Sequence, residues 1–232
     1  METTPPTSTL LLLVRHGATP TTGQVLPGRA PGLHLSDVGR RQASEVAERI
    51  DALPLAAIYT SPMERARETA APTAEKFGLE PQVMDALIEC EFGEWTGQKL
   101  TDLYKLPEWR TVQQQPSTFR FPGGESFTEM QQRMAAAVEE IAARHTGEVV
   151  ALFSHADPLK AVVAHLGGIP LDSFQRISID TASISVAEFL TPKAPGDQAA
   201  GEDPADTTPR NQFRMVVTNS RTGSLSYLRE GW

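Results

Sequence analysis

Two histidines in this sequence each follow a short apolar stretch. Residues 10–14 are five consecutive apolar residues ahead of Arg15 and His16, and residues 149–153 form a similar stretch shortly before His155. A stretch of this length suits a buried strand and is too short for a stable buried helix. Ligands of open α/β sheets bind at the carboxyl ends of the strands, so both histidines are predicted to reach a ligand site.

Arg15, His16, Arg65 and His155 are residue types that together suit phosphoryl transfer. Arginine binds phosphate oxygens in bidentate fashion and stays charged at any working pH. A neutral imidazole can act as the nucleophile, and nearby arginines favour that neutral form because they repel the imidazolium. A second histidine, when protonated, adds positive charge against the phosphoryl oxygens that gain charge in the transition state.

The leaving alkoxide of such a reaction needs a proton, and the stretch 85–97 offers several donors. This stretch is dense in acids, aromatics and glycine without a clear period, which is typical of an ordered functional loop. A carboxylic acid in a partly desolvated loop can stay protonated near neutral pH. Glu89 is the candidate, but composition alone does not separate it from Glu91 and Glu94.

Each candidate also has an ordinary interpretation. Taken singly, Arg65 is explained by a surface ion pair with Glu64 or Glu68, and His155 is explained as a residue at the end of a loop. Cys90 is predicted to be a buried or half-buried small residue rather than a reactive thiolate. No chemistry is assigned to the remaining histidines, which are His34, His145 and His165.

Composition restricts the partners. The chain has 232 residues, 40% of them hydrophobic, and a net charge of −8, which argues against a nucleic acid or an anionic membrane held by bulk electrostatics. No apolar stretch approaches the length needed to cross a membrane. A single cysteine fits a reducing compartment, so we expect a cytoplasmic protein. The oligomeric state stays open, with a homodimer as one alternative.

The order of the predicted elements indicates an α/β fold. Apolar stretches alternate with amphipathic ones, which favours a mostly parallel central sheet with helices on both faces and the last strands antiparallel at an edge. Ser36 is predicted to cap the first helix, and Pro62 is expected near the first turn of a helix that ends at Gly78. Ser126 and Glu129 form a capping box for a long helix. Strands are predicted at 10–14, 55–59, 82–84, 149–153, 183–190 and 213–218.

The chain is predicted to form a single domain over residues 1–232. Residues 1–9 contain prolines and no long apolar stretch, so we expect a flexible tail. Residues 191–211 combine acids, Pro and Gly with almost no large apolar residue, which is typical of a mobile surface loop. The loop 21–32 and the segment 100–124 are expected to line the entrance to the site.

Five blocks of the sequence stand in an order that resembles the histidine phosphatase superfamily, also called phosphoglycerate mutase-like. The resemblance spans roughly residues 10 to 190. Within the phosphatase branch of this superfamily, the sequence is most similar to actinobacterial members that are described as probable phosphomutases. The blocks are Arg15-His16-Gly17-x-Thr19, Leu35-Ser36-x-x-Gly39-x-x-Gln42-Ala43, Thr60-Ser61-Pro62-x-x-Arg65-Ala66-x-x-Thr69-Ala70, Leu87-x-Glu89-x-x-Phe92-Gly93-x-Trp95-x-Gly97 and Ser154-His155.

The resemblance implies a role for each candidate. It makes His16 the phosphorylated nucleophile, places Arg15, Arg65 and His155 around the phosphate, and selects Glu89 as the proton donor. It implies no metal and no organic cofactor. The partner it implies is a small-molecule phosphate ester.

Departures from the family pattern concern the substrate rather than the chemistry. Ala18 stands where many members carry Glu or Gln, Thr22 stands where the mutases are expected to carry Asn, and Ala156 replaces the usual glycine after the second histidine. Together with Gly28 and Arg29, which belong to the loop near His16, Thr22 and Ala156 are the candidate substrate-binding residues.

The resemblance implies a phosphomonoesterase that acts on a small phosphorylated metabolite through a phosphohistidine. The stretch between Glu89 and His155 looks shorter than in cofactor-dependent phosphoglycerate mutases, and a more open pocket admits water. The alternatives are a phosphomutase, which returns the phosphoryl group to a bound substrate, and a regulatory protein that binds a phosphorylated ligand without turnover.

Overall fold

The central sheet has six strands in the order β3-β2-β4-β1-β5-β6. The computed structural model describes residues 8–190 and 213–231. β2, β4 and β1 run parallel, as does β3 beside β2, whereas β5 pairs antiparallel with β1 and β6 pairs antiparallel with β5. The predicted mostly parallel sheet with antiparallel last strands is therefore confirmed. The strands are β1 (Ser8–Arg15), β2 (Leu55–Thr60), β3 (Gln82–Val83), β4 (Val149–Ser154), β5 (Ile184–Leu190) and β6 (Phe213–Ser220).

Helices cover both faces of the sheet, and β1 shows why. Successive residues of a strand point to opposite faces. Leu11 and Leu13 pack in one cluster with α5 and α6, whereas Leu10, Leu12 and Val14 pack in another with α1 and α2. All five side chains are buried, which explains the uninterrupted apolar stretch. The helices are α1 (Asp37–Ile50), α2 (Glu64–Phe77), α3 (Leu100–Leu103), α4 (Trp109–Gln114), α5 (Phe127–Arg144) and α6 (Ala156–Leu166).

β1 and β4 are neighbours in the sheet, and their register decides where the two histidines lie. Arg15 pairs with Ser154 at the carboxyl ends of the two strands. The next residue of each chain segment is His16 on one side and His155 on the other. Parallel pairing in this register therefore brings both histidines to the same edge of the sheet.

The predicted loop at 85–97 is ordered by a third cluster that is largely aromatic. Two 3₁₀ turns, Asp85–Leu87 and Gly93–Trp95, lie in this segment, and Phe92 and Trp95 are buried. The ring centroids of Phe92 and Phe121 are 4.9 Å apart in an edge-to-face arrangement, which is a favourable aromatic geometry. The acids of this segment are thus carried on a packed support.

The helix ends follow their local signals. Ser36 accepts a hydrogen bond from the Gly39 amide, Gly78 ends α2 in the left-handed conformation, and both bonds of the predicted capping box are present at Ser126. Pro62 lies near the first turn of α2, as predicted, but the helix starts two residues after it. α2 begins at Glu64 because the residue before it, Met63, has extended backbone angles.

Two expectations concern segments that the structure covers only in part. The tail predicted for residues 1–9 is too long, because Ser8 and Thr9 already pair with β5 as the first residues of β1. Residues 1–7 and the loop predicted at 191–211 lie outside the described residues. In the described part of the chain, we find no helix of the length and apolarity that crossing a lipid bilayer requires.

The turn after β1 is pressed against the start of α1 with no room for side chains. A Cβ atom on Gly39 would lie 2.0 Å from the carbonyl oxygen of Ala18, and one on Gly17 would lie 2.6 Å from the carbonyl oxygen of Gly39. The Ala18 amide also donates to the side chain of Gln42, and the Ala18 carbonyl accepts from the Ser36 amide. This contact fixes the backbone that directly follows His16.

Replacing Gly39 with Ala is expected to destabilise the protein by about 1–3 kcal/mol because the added methyl group meets backbone rather than a movable side chain. Alanine by itself favours a helix over glycine by about 1 kcal/mol. A net loss of stability would therefore come from the contact of the added methyl group with the backbone. The free energy of unfolding in urea measures the effect. Val38→Ala, at an exposed position of the same helix, is the control and should change that free energy by less than about 0.5 kcal/mol. An unchanged or higher free energy for Gly39→Ala would contradict the close approach.

Candidate active site

A cavity of about 450 Å³ lies at the carboxyl ends of β1 and β4. Arg15, His16 and Glu89 line it, as do residues of the loop 21–27 and of the segment 100–121. The two segments expected near the entrance therefore contribute to the lining. The apolar lining residues are Leu26, Phe92, Leu100, Trp109, Val112, Phe121 and Phe127, among others. The polar ones include Thr19, Thr21, Thr22, Asp157, Lys160, Gln175 and Asp180.

His16 is held in one tautomer by the residue that follows it. Its Nδ1 atom lies 2.7 Å from the carbonyl oxygen of Gly17. A carbonyl oxygen only accepts hydrogen bonds, so Nδ1 carries the proton and the lone pair of the neutral ring is on Nε2. Burial lowers the pKa of His16 well below its ordinary value, and the positive charges of Arg65 and Arg15 lower it further. The imidazole is therefore neutral and presents a nucleophilic nitrogen.

Two arginines, the half-buried Arg15 and the fully buried Arg65, lie beside this ring and have hydrogen-bond donors without partners in the described part of the chain. Arg15 donates from Nη1 to the Ile179 carbonyl at 2.7 Å, and Arg65 donates from Nη2 to the Gly28 carbonyl at 2.9 Å. Nε of Arg15 and both Nε and Nη1 of Arg65 are buried with no hydrogen-bond partner among the described residues. Buried donors without partners are costly, and an anion that satisfies several of them is strongly favoured.

The surface ion pair considered for Arg65 does not form. The Arg65 side chain is fully buried. Glu64 instead accepts from the Gly32 amide, and Glu68 binds His34 and the Leu35 amide.

His155 faces His16 across the site. The two ring centroids are 5.2 Å apart. The Ser61 hydroxyl lies 2.7 Å from Nε2 of His155, while Nδ1 is buried without a hydrogen-bond partner among the described residues. Burial lowers the pKa of His155, and Arg65, His16 and Arg15 lower it further. The ring is therefore neutral here, which differs from the protonated form considered above, and with Ser61 donating to Nε2 it presents an Nδ1–H donor to the site.

Glu89 lies in the site with the two histidines and the two arginines. Its Oε1 accepts from the Cys90 amide at 2.9 Å, and its Oε2 lies 3.8 Å from Nδ1 of His155. Burial raises the pKa of Glu89 to about 7, and the nearby carboxylate of Asp157 adds to the rise while Arg65 opposes it. A carboxyl group with this pKa gives up and takes back a proton near neutral pH.

The other two candidate acids of the stretch 85–97 do not lie in the site. Glu91 forms an ion pair with Arg29, and Glu94 is exposed. The structure thus separates the three acids that composition could not, because only Glu89 is buried at the site.

The four candidate substrate-binding residues divide into two pairs. Thr22 and Ala156 line the cavity. Gly28 and Arg29 are not among the lining residues, so the expectation that they contact the substrate is not supported. Their hydrogen bonds are the reason: the Gly28 carbonyl accepts from Arg65, and Arg29 Nε donates to the Glu89 carbonyl at 2.8 Å.

Several residues that position the site were not assigned a role from the sequence. The Thr69 hydroxyl accepts from the Gly17 amide and donates to the Arg65 carbonyl, and Ser61 orients His155. Thr69 is four residues after Arg65 in α2, so the two share one helix face, and that spacing was a usable signal. Asp157 is two residues after His155, but its proximity to Glu89 depends on the tertiary fold.

Two known proteins are similar to this chain in sequence over about three quarters of its length. Phosphoserine phosphatase 1 of Hydrogenobacter thermophilus is 34% identical over 181 residues, which is 76% of this chain and 84% of that protein. Probable phosphoglycerate mutase GpmB of Cronobacter sakazakii is 31% identical over 180 residues, which is 76% of this chain and 83% of that protein.

Solved structures show the same fold. A mycobacterial glucosyl-3-phosphoglycerate phosphatase superposes with a TM-score of 0.76 at 24% identity, covering 92% of this chain and 99% of that one. At this identity the likeness shows the fold alone. The model of the histidine phosphatase superfamily (branch 1) matches residues 11–194. With its cavity at the carboxyl ends of β1 and β4, this chain therefore belongs to the histidine phosphatase superfamily.

Proposed function

We propose that this protein is a phosphomonoesterase that hydrolyses a small phosphorylated metabolite through a phosphohistidine at His16. The observation that carries the proposal is the tautomer of His16, whose Nδ1 is bound to the Gly17 carbonyl so that Nε2 is free beside two arginines with unpaired donors. Membership of the family and the similarity to a phosphoserine phosphatase support it. Arg15, Arg65 and His155 bind the phosphoryl oxygens.

In the first step, Nε2 of His16 attacks phosphorus in line as the bond to the ester oxygen breaks. Glu89 gives its proton to that oxygen, which leaves as an alcohol. The phosphoryl oxygens gain charge in the transition state, and the guanidinium groups with the Nδ1–H of His155 stabilise that charge.

In the second step, Glu89 is a carboxylate and takes a proton from water. The water oxygen attacks phosphorus, the bond to Nε2 breaks, and inorganic phosphate is released. Nδ1 of His16 keeps its proton throughout and donates it in a hydrogen bond to the Gly17 carbonyl. Glu89 is again protonated and His16 again neutral, so the cycle closes without another co-reactant.

The cavity favours a small and partly apolar leaving group. Its volume of about 450 Å³ is in the usual range for small-molecule sites. Trp109 and Phe121 offer flat apolar faces, and Asp157 and Lys160 offer polar contacts. The net charge of −8 disfavours a nucleic acid as the substrate.

A phosphomutase is the second candidate, and the similarity to phosphoglycerate mutase GpmB favours it. The two activities differ in what attacks the phosphohistidine, which is water in one case and the bound substrate in the other. Incubation with 3-phosphoglycerate separates them, because a phosphatase releases inorganic phosphate and a mutase forms the 2-phospho isomer. A screen of phosphate release over sugar phosphates, phosphoserine and nucleotides would then identify the leaving group.

Replacing His16 with Ala is expected to lower the rate of hydrolysis of an aryl phosphate by at least about 1,000-fold because it removes the nitrogen that forms the covalent intermediate. Radiolabelled substrate should leave label on the wild-type chain under alkaline quench and none on the variant. His165→Ala removes a half-exposed histidine of α6 and should keep full activity. A His16→Ala enzyme with a tenth of the normal rate would exclude His16 as the nucleophile.

Replacing Asp157 with Asn is expected to move the alkaline limb of kcat/KM to lower pH. Glu89 must be protonated to act as the acid, so activity falls as pH rises through its pKa of about 7. The Asp157 carboxylate raises that pKa, and its removal therefore lowers it. The pH profile for an alkyl phosphate measures the shift against Asp102→Asn, an exposed control. A limb that stays in place or moves to higher pH would contradict the assignment.

A further inference from the structure

The segment that carries Glu89 is held by side chains rather than by a strand or a helix. Four successive carbonyl groups, from Ala86 to Glu89, each accept a hydrogen bond from a side chain. Arg133 of α5 donates from Nη1 to Ala86 at 2.6 Å and to Ile88 at 3.0 Å. Ser154 donates to Leu87, and Arg29 donates to Glu89. Together with the packing of the aromatic cluster, these donors therefore hold the main chain at the acid.

Both arginines are bound to one carboxylate. Glu125 accepts from Arg133 in bidentate fashion, with Nε to Oε1 at 2.9 Å and Nη2 to Oε2 at 3.0 Å. The same Oε2 accepts from Arg29 Nη2 at 3.1 Å. We call Arg29, Glu125 and Arg133 the acid clamp.

The acid clamp is better suited than an exposed ion pair to fix the position of the main chain at Glu89. The exposed fractions of the Glu125, Arg133 and Arg29 side chains are 12%, 21% and 28%. A bidentate arginine–carboxylate pair fixes direction as well as distance, and partial burial protects it from competition by water. Glu91 also binds Arg29, at 3.3 Å, and its amide donates to Glu125.

The acid clamp also connects Glu89 to the phosphate pocket. Arg65 donates to the Gly28 carbonyl, and Arg29, the next residue, donates to the Glu89 carbonyl. The group that binds the phosphoryl oxygens and the group that carries the acid are thus joined through two adjacent residues of one loop. This is the role that the structure supports for Gly28 and Arg29.

We propose that Arg133, Glu125 and Arg29 are positioning residues that hold Glu89 where its proton reaches the leaving-group oxygen. The proposal rests on the proposed function of Glu89 as the acid. Its physical basis is that proton transfer needs the donor within hydrogen-bond reach of the reacting oxygen, and a misplacement of about 1 Å costs about 100-fold in rate.

The test compares two aryl phosphates that differ in their need for a proton. Phenyl phosphate releases a basic phenolate that the acid must protonate, whereas 2,4-dinitrophenyl phosphate releases a weakly basic one that leaves unaided. Arg133→Lys should lower kcat/KM for phenyl phosphate by roughly 10- to 100-fold and for the dinitrophenyl ester by less than about threefold. Glu125→Gln should show the same selectivity.

Arg144→Lys is the matched control, since Arg144 is on the same helix and forms an exposed pair with Glu140. It should leave both substrates unaffected. Where Arg133→Lys lowers the urea midpoint of unfolding, Arg29→Lys, at a more exposed side chain, provides the same comparison in a folded protein.

Equal losses on the two substrates, or no loss on either, would overturn the positioning role. Glu89→Gln separates this result from a failure of the proposed function. If Glu89→Gln discriminates between the substrates and the clamp variants do not, only the positioning role fails. If Glu89→Gln does not discriminate, Glu89 is not the acid.

Discussion

The parallel pairing of β1 with β4 is the constraint on which the rest of the structure depends. Its register places Arg15 opposite Ser154, so the residues that follow, His16 and His155, emerge side by side at one edge of the sheet. Both strands are buried on both faces by helices, which leaves little freedom to slip. Because a slip of one residue would turn every side chain to the opposite face, this register is strongly held by the apolar core.

The site brings together charged groups, each of which would be unfavourable if it were removed from water alone. Burial and the charges of two arginines lower the pKa of both histidines, and burial with a neighbouring carboxylate raises that of Glu89. The result is two neutral imidazoles and a carboxyl group that titrates near neutrality, beside unpaired guanidinium donors. An anion compensates this arrangement better than water does, because the donors are buried and already oriented.

The two halves of the site are supported in different ways. The histidines depend on strands, whose geometry follows from backbone pairing. Glu89 lies in a segment whose carbonyls bind arginine and serine side chains contributed by three distant parts of the chain. Substitutions in the acid clamp, whose residues do not line the cavity, can therefore move the acid without changing the strands that hold the histidines.

The sequence by itself determined the structural features that depend only on residues close together in the chain. The apolar stretches, the cap at Ser36, the capping box at Ser126 and the helix end at Gly78 follow from local periodicity and backbone preference, and the structure confirms them. The residue types also indicated phosphate chemistry before any fold was known. Only the tertiary structure decided which of three acids is buried at the site and that Arg29 supports the acid rather than contacting the cavity. Those outcomes depend on contacts between residues that are 60 or more positions apart in the chain. The local sequence around a residue does not determine which distant residues it will contact.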